Sequence, residues 1–242
     1  MKPKPHQIVG KHARDAALLA LKEGFALKNV RVWFQKIGTV KYISHLDLTR
    51  CMARALKLSR LPVWYTEGFN PRIYMSFAMP LSLGVSGERE CMDVRFMEDA
   101  DLTEAASRLR TYLPEDLSIL EMTEPLMTFE SIAFAEYEFR IEAEEPSQLA
   151  ETIDRLLSSD SVLVKKHSKK GDREVDIKPS FSNMKKSITE EALVLQVPLP
   201  CTLEGSVNPN LLLEALKSHC GLDLYAQIIR KRLLTKDFSD IR

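Results

Sequence analysis

Basic, hydroxyl and imidazole side chains cluster between Lys41 and Arg72, in the stretch KYISHLDLTRCMARALKLSRLPVWYTEGFNPR. Ser44 and Asp47 form a capping-box pattern, with Asp in place of the usual Glu or Gln. His45 follows the cap, where free backbone N–H groups and the helix dipole favour an anion. An imidazole there could bond a phosphate or transfer a proton, or simply fix the turn through local backbone bonds. Arg50, Arg54 and Lys57 recur at i, i+4 and i+7 on one helical face, with Lys41 ahead of them and Arg60 at the end. Such a row suits anion contacts, and it suits a solvated face equally well.

Gly68, Phe69, Asn70, Pro71 and Arg72 make a second motif with a different logic. Gly68 permits positive φ, Pro71 fixes its own φ, and Asn70 before proline is pushed out of the α region. Exposed, Phe69 could stack on a base while Arg72 holds a phosphate. Trp64, Tyr65, Tyr74 and Phe77 flank the motif, interleaving aromatic with basic residues. The competing reading places Phe69 and Trp64 in the core and leaves Asn70-Pro71 only shaping the backbone.

These motifs need a scaffold. Val30–Phe34 reads as a strand, His45 to Ser59 as a helix, and 61–65, 73–78 and 90–96 as further strands. Asp99 and Asp101 open a helix running to Tyr112, and 117–122 closes the unit. A similar order follows: strand 135–143, helix 147–157, and a hairpin from 161–166 and 174–178 around a basic turn. Strand 192–197, a helix capped at Asn208 and ending at Gly221, and strand 224–233 complete it. The expected fold is α+β, two ferredoxin-like β-α-β-β-α-β units in tandem over 29–125 and 133–236. Residues 1–28 form an extension with a short amphipathic helix from Lys11 to Ala26.

Formal net charge is zero, but the charges are segregated. Arg31 to Arg72 carries eight Lys/Arg against two acidic residues, and Lys165 to Lys186 carries eight against three. Glu98 to Asp154 holds sixteen acidic residues. Such blocks create local potentials that a neutral total does not cancel at short range. In the second half Lys178 is expected to join Arg230 and Arg232, which strand alternation puts on one face.

The four cysteines, Cys51, Cys91, Cys201 and Cys220, have no C-x-x-C spacing, which argues against a zinc ribbon or an iron–sulfur cluster held by this chain. Cys51 and Cys220 are read as buried helix thiols. The glycines of PLSLGVSGE match no phosphate-loop fingerprint, so no cofactor is expected. No apolar run approaches the roughly 20 residues that span a bilayer, so no membrane partner is expected and a cytoplasmic location follows by default.

KYISHLDLTR, the basic helix after it and LPVWYTEGFNPRIYMSFAMPLSLGVSGERE resemble the bacterial radical SAM-associated domain of unknown function. Its members occur alone or fused C-terminally to radical SAM proteins. The resemblance covers roughly residues 29 to 235; it is strongest over 29–97, and DIKPSF, VNPNLLLEAL and IIRKRLL carry the remainder. It implies a radical SAM protein as partner. The three-cysteine cluster motif of such enzymes is absent from this chain, so that chemistry would come from the partner.

The leading expectation is therefore a non-catalytic accessory module that binds RNA or a ribonucleoprotein through its basic and aromatic surface. One alternative is an RNA-processing or RNA-modifying enzyme using His45. Another is a protein-interaction domain that docks on a radical SAM enzyme through its acidic block.

Overall fold

A computed structural model describes residues 27–166, 171 and 173–242. The helix expected at Lys11 to Ala26 and most of the basic turn after Lys166 lie outside these residues. The chain is α+β, with mostly antiparallel strands and five α-helices among the described residues. It divides into two compact units. The first takes the chain up to Pro80 and Glu90–Leu126; the second takes Leu81–Arg89 and Met127–Arg242.

The first unit contains β1 (Lys28–Lys36), α1 (His45–Leu58), β2 (Met75–Phe77), the main part of β3 (Ser86–Phe96), α2 (Leu102–Arg110) and β4 (Ile119–Thr123). Its strands pair in the order β4-β1-β3-β2. Alternation sends Val30, Val32 and Phe34 of β1 and Met92, Val94 and Phe96 of β3 to one face. Leu48, Met52, Ala55 and Leu56 of α1 and Ala105, Ala106 and Leu109 of α2 close over them. Each large apolar side chain so buried contributes about 1.5–3 kcal/mol. Both helices start where their caps put them. The Ser44 hydroxyl accepts from the Asp47 N–H at 3.1 Å, and the Asp101 carboxylate accepts from Thr103 and Glu104 at 2.8 and 3.0 Å.

The other sheet face carries paired polar groups among buried apolar ones. Arg31, fully buried, grips Asp93 through two bonds of 2.8 and 2.9 Å, and Trp33 donates to the Thr123 hydroxyl at 3.0 Å. Before α1, a 3-10 turn over Gly38–Tyr42 is tied down by Asp116, whose carboxylate accepts from the Thr39 N–H and hydroxyl.

In the second unit β5 (Phe134–Glu142) lies between β9 (Ala192–Thr202) and β11 (Gln227–Leu234), antiparallel to both. β8 (Lys185–Ile188) and β10 (Gly205–Ser206) pair with β9, and Ser86 and Gly87 at the start of β3 pair with β11 in parallel. α3 (Pro146–Ser158) and α5 (Leu211–Cys220) pack on each other, and α3 packs on β9. A hairpin of β6 (Leu163–Lys166) and β7 (Arg173–Asp176) and the short α4 (Lys178–Phe181) are inserted after α3.

The structure departs from three expectations. The α5 helix begins at Leu211, and Asn208 does not cap it; its side chain accepts from the Asn210 N–H at 3.1 Å and forms a turn ahead of the helix. Cys51 and Cys220 are half-buried, whereas Cys91 and Cys201 are buried. Arg230 and Arg232 do not share a face. A bulge at Lys231 sets Arg230 opposite Tyr137 and Arg232 opposite Glu136, so alternation breaks and Arg230 is buried while Arg232 is exposed.

Candidate nucleic-acid interface

The edge of the first unit is one strand interrupted by an excursion. Val63 bridges to Phe96, and Met75–Phe77 pair with Val94, Asp93 and Met92. Between these two contacts the chain leaves the edge at Trp64 and returns at Tyr74. The excursion has a neck fixed by backbone bonds: Tyr74 N–H to Trp64 O at 3.1 Å and Thr66 N–H to Arg72 O at 2.7 Å. Tyr65 bridges to Ile73, and the Thr66 hydroxyl accepts from the Arg72 N–H at 3.2 Å. The GFNPR motif is the tip of this hairpin.

At the tip Gly68 has φ +122, a conformation open to glycine and strained for other residues. Phe69 is fully exposed, at 104% of its reference area. Asn70, Pro71 and Arg72 are exposed beside it, and Arg72 forms no ion pair among the described residues. The ring therefore does not fill the core. Trp64 does not either: Tyr65 and Phe77 pack against the core cluster, while Trp64 and Tyr74 fall on the opposite face. Their rings lie 5.9 Å apart, and the Arg95 guanidinium from β3 sits 4.3 Å from the Tyr74 ring centre and 5.5 Å from that of Trp64. Arg95 went unmarked in the sequence because it lies 23 residues beyond the motif, as one charge in an alternating strand.

The α1 helix supplies the basic row. Arg50, Arg54 and Lys57 are exposed on it, followed by Arg60. Arg50 meets Asp47 at 3.2 Å, a surface pair worth at most about 1 kcal/mol. Arg54, Lys57 and Arg60 form no ion pair among the described residues. The Asp47 carboxyl is held below its ordinary range, first by the Ser44 hydroxyl and then by Arg50. Burial pushes the Cys51 thiol up, with Arg54 opposing. Beyond the row a cleft of about 830 Å³ opens, lined by Leu56, Lys57, Arg60, Tyr65, Arg108 and Tyr112.

His45 is exposed, with its ring edge-on to Phe77 at 5.0 Å. No hydrogen-bond partner for its imidazole exists among the described residues, so no base or orienting carboxylate stands beside it. Lys41 lies with its ammonium 5.1 Å from the Tyr42 ring. Lys41, Ser44, His45, Arg50, Arg54 and the residues from Gly68 to Arg72 thus all belong to the first unit.

Lys178, Arg230 and Arg232 belong to the second. Lys178 donates to the Ser159 carbonyl at 2.6 Å. Arg232 is engaged by Glu136 at 2.6 Å and Asp240 at 3.1 Å. Among the described residues no group of three or more His, Cys, Asp or Glu could hold a metal ion. No helix among them is long and apolar enough to cross a membrane.

No curated protein sequence matches the chain. A family model does, over residues 29–209: the family described as "Uncharacterized protein conserved in bacteria (DUF2344)". The chain belongs to that family.

Proposed function

We propose that this member of the DUF2344 family is a non-catalytic accessory module that holds single-stranded RNA for a radical SAM partner. Each unit is read as ferredoxin-like, which the strand orders β4-β1-β3-β2 and β11-β5-β9-β8 support. The observation that carries the RNA reading is Phe69: a fully exposed ring on a hairpin whose neck is clamped by hydrogen bonds and aromatic contacts. A ring held out in water on a fixed support offers a stacking surface at little further ordering cost. The exposed cations Arg54, Lys57 and Arg72 in the same unit suit a phosphate backbone. The radical SAM partner rests on the sequence resemblance.

Arg50 and Arg54 test the electrostatic part. Affinity for a labelled single-stranded RNA is measured across a salt series for the wild type and for Arg50→Ala/Arg54→Ala. If both arginines neutralise phosphates, the slope of log affinity against log salt flattens by roughly 1.4, from about 0.7 per contact. Unchanged affinity and slope would remove α1 from the interface.

A further inference from the structure

We infer that Arg95 is the phosphate-gripping residue of the RNA interface, with Trp64 and Tyr74 as the rings that aim it. The inference rests on the reading of the Phe69 hairpin as an RNA contact. Arg95 lies in β3 opposite the neck of that hairpin, where its backbone carbonyl accepts from the Trp64 N–H at 2.7 Å. Its guanidinium lies against two rings, 4.3 Å from the centre of Tyr74 and 5.5 Å from that of Trp64. A guanidinium held over rings in this way spends none of its hydrogen-bond donors on an acceptor, so they stay open to a planar or tetrahedral oxyanion.

No acceptor for those N–H groups exists among the described residues. Asp93, two residues before Arg95 on the same strand, is spent on Arg31 in a two-bond pair, and Glu98 lies beyond the end of β3. Arg95 is half-buried, so a ligand can reach it while its motion is restricted by the rings. Ser76, paired with Asp93 on the adjoining strand, adds a hydroxyl donor with no bond among the described residues. A pre-aimed fork, a hydroxyl and two aromatic surfaces at the foot of an exposed Phe suit the phosphate and neighbouring base of one nucleotide. Arg72, exposed and with no ring contact or ion pair for its side chain among the described residues, lacks that support.

The test compares wild type, Arg95→Gln, Arg95→Lys and Phe69→Ala for binding of labelled single-stranded RNA over a salt series. Thermal unfolding of each variant checks the fold. Arg95→Gln should weaken binding and flatten the salt slope by about 0.7, the value of one phosphate contact on a single strand. Arg95→Lys keeps the charge and loses the fork, so it should weaken binding at an unchanged slope; it also serves if Arg95→Gln fails to fold.

A folded Arg95→Gln with wild-type affinity and slope, where Phe69→Ala binds weakly, would overturn the assignment of Arg95 and leave the RNA reading standing. A wild type that binds no RNA would end both. A polyglutamate peptide that displaces RNA as well as an RNA of equal charge would overturn the phosphate in favour of a carboxylate partner.

Discussion

Truncating Phe69 to alanine should separate RNA binding from folding. The ring is fully exposed and touches no core residue, so its removal deletes no packing. The neck keeps its Thr66–Arg72 and Tyr74–Trp64 bonds, and Gly68 keeps its positive φ. Stability should therefore stay within about 0.5 kcal/mol of wild type. Phe34→Ala, in the core of the same unit, should instead cost about 3–5 kcal/mol. For RNA the sizes reverse. Loss of one base–aromatic stack costs about 1–3 kcal/mol, which is roughly 5- to 160-fold in affinity. The salt slope should not move, because no charge is removed. Urea unfolding gives the first quantity, and anisotropy of a labelled single-stranded RNA at several salt concentrations gives the others. Wild-type RNA affinity in Phe69→Ala would refute the stacking role. A loss of more than 1 kcal/mol of stability would refute the premise that the ring packs on nothing.

Three further tests address the scaffold. A Cβ at Gly38 would lie 2.2 Å from the Asp116 carboxylate that bonds Thr39, whereas one at Gly221 would meet nothing. Both have positive φ, so in urea melts Gly221→Ala should cost about 1 kcal/mol and Gly38→Ala about 1–2 kcal/mol more; equal costs would contradict the crowding at Asp116. Arg60 is a non-glycine residue at φ 53 just past α1, so Arg60→Gly should raise stability by about 0.5–1 kcal/mol, and a loss would contradict the strain there.

Ser44→Ala should cost about 1 kcal/mol through the lost cap. Because Ser44 is the main cause of the depressed Asp47 value, that value should rise in an NMR titration of the variant. A depressed folded value stabilises above the unfolded value and is lost as pH falls through the folded one, so the variant should show less of this acid sensitivity. An Asp47 titration identical to wild type would contradict the assignment.

Much of the framework was legible because local chemistry and burial agreed. The Ser44 cap and the apolar spacing of Leu48, Met52 and Ala55 locate α1 to within a residue of its observed end. Other strands were harder to read. Ser86 and Gly87 extend β3 by backbone pairing alone and carry no alternation to read. Pro198 and Pro200 sit within β9, where proline normally argues against an interior strand, so the sequence marks only 192–197. The strand β8, Lys185–Ile188, has one large apolar residue and was missed.

Among the site residues, the exposure of Phe69 could not be read from its type, since the same ring suits a core equally well. The bulge that hides Arg230 leaves no mark in the run Arg230-Lys231-Arg232. Arg95 needed the fold, because only strand pairing brings it to Trp64 and Tyr74.

Whether this chain holds RNA for a partner is decided by recovering the protein from its native host with and without nuclease. RNA and protein in the recovered complex are both read. The expected result is a defined RNA that co-purifies with wild type, is lost from Phe69→Ala, and brings a radical SAM enzyme with it. A nuclease-resistant complex containing protein and no RNA would contradict the claim.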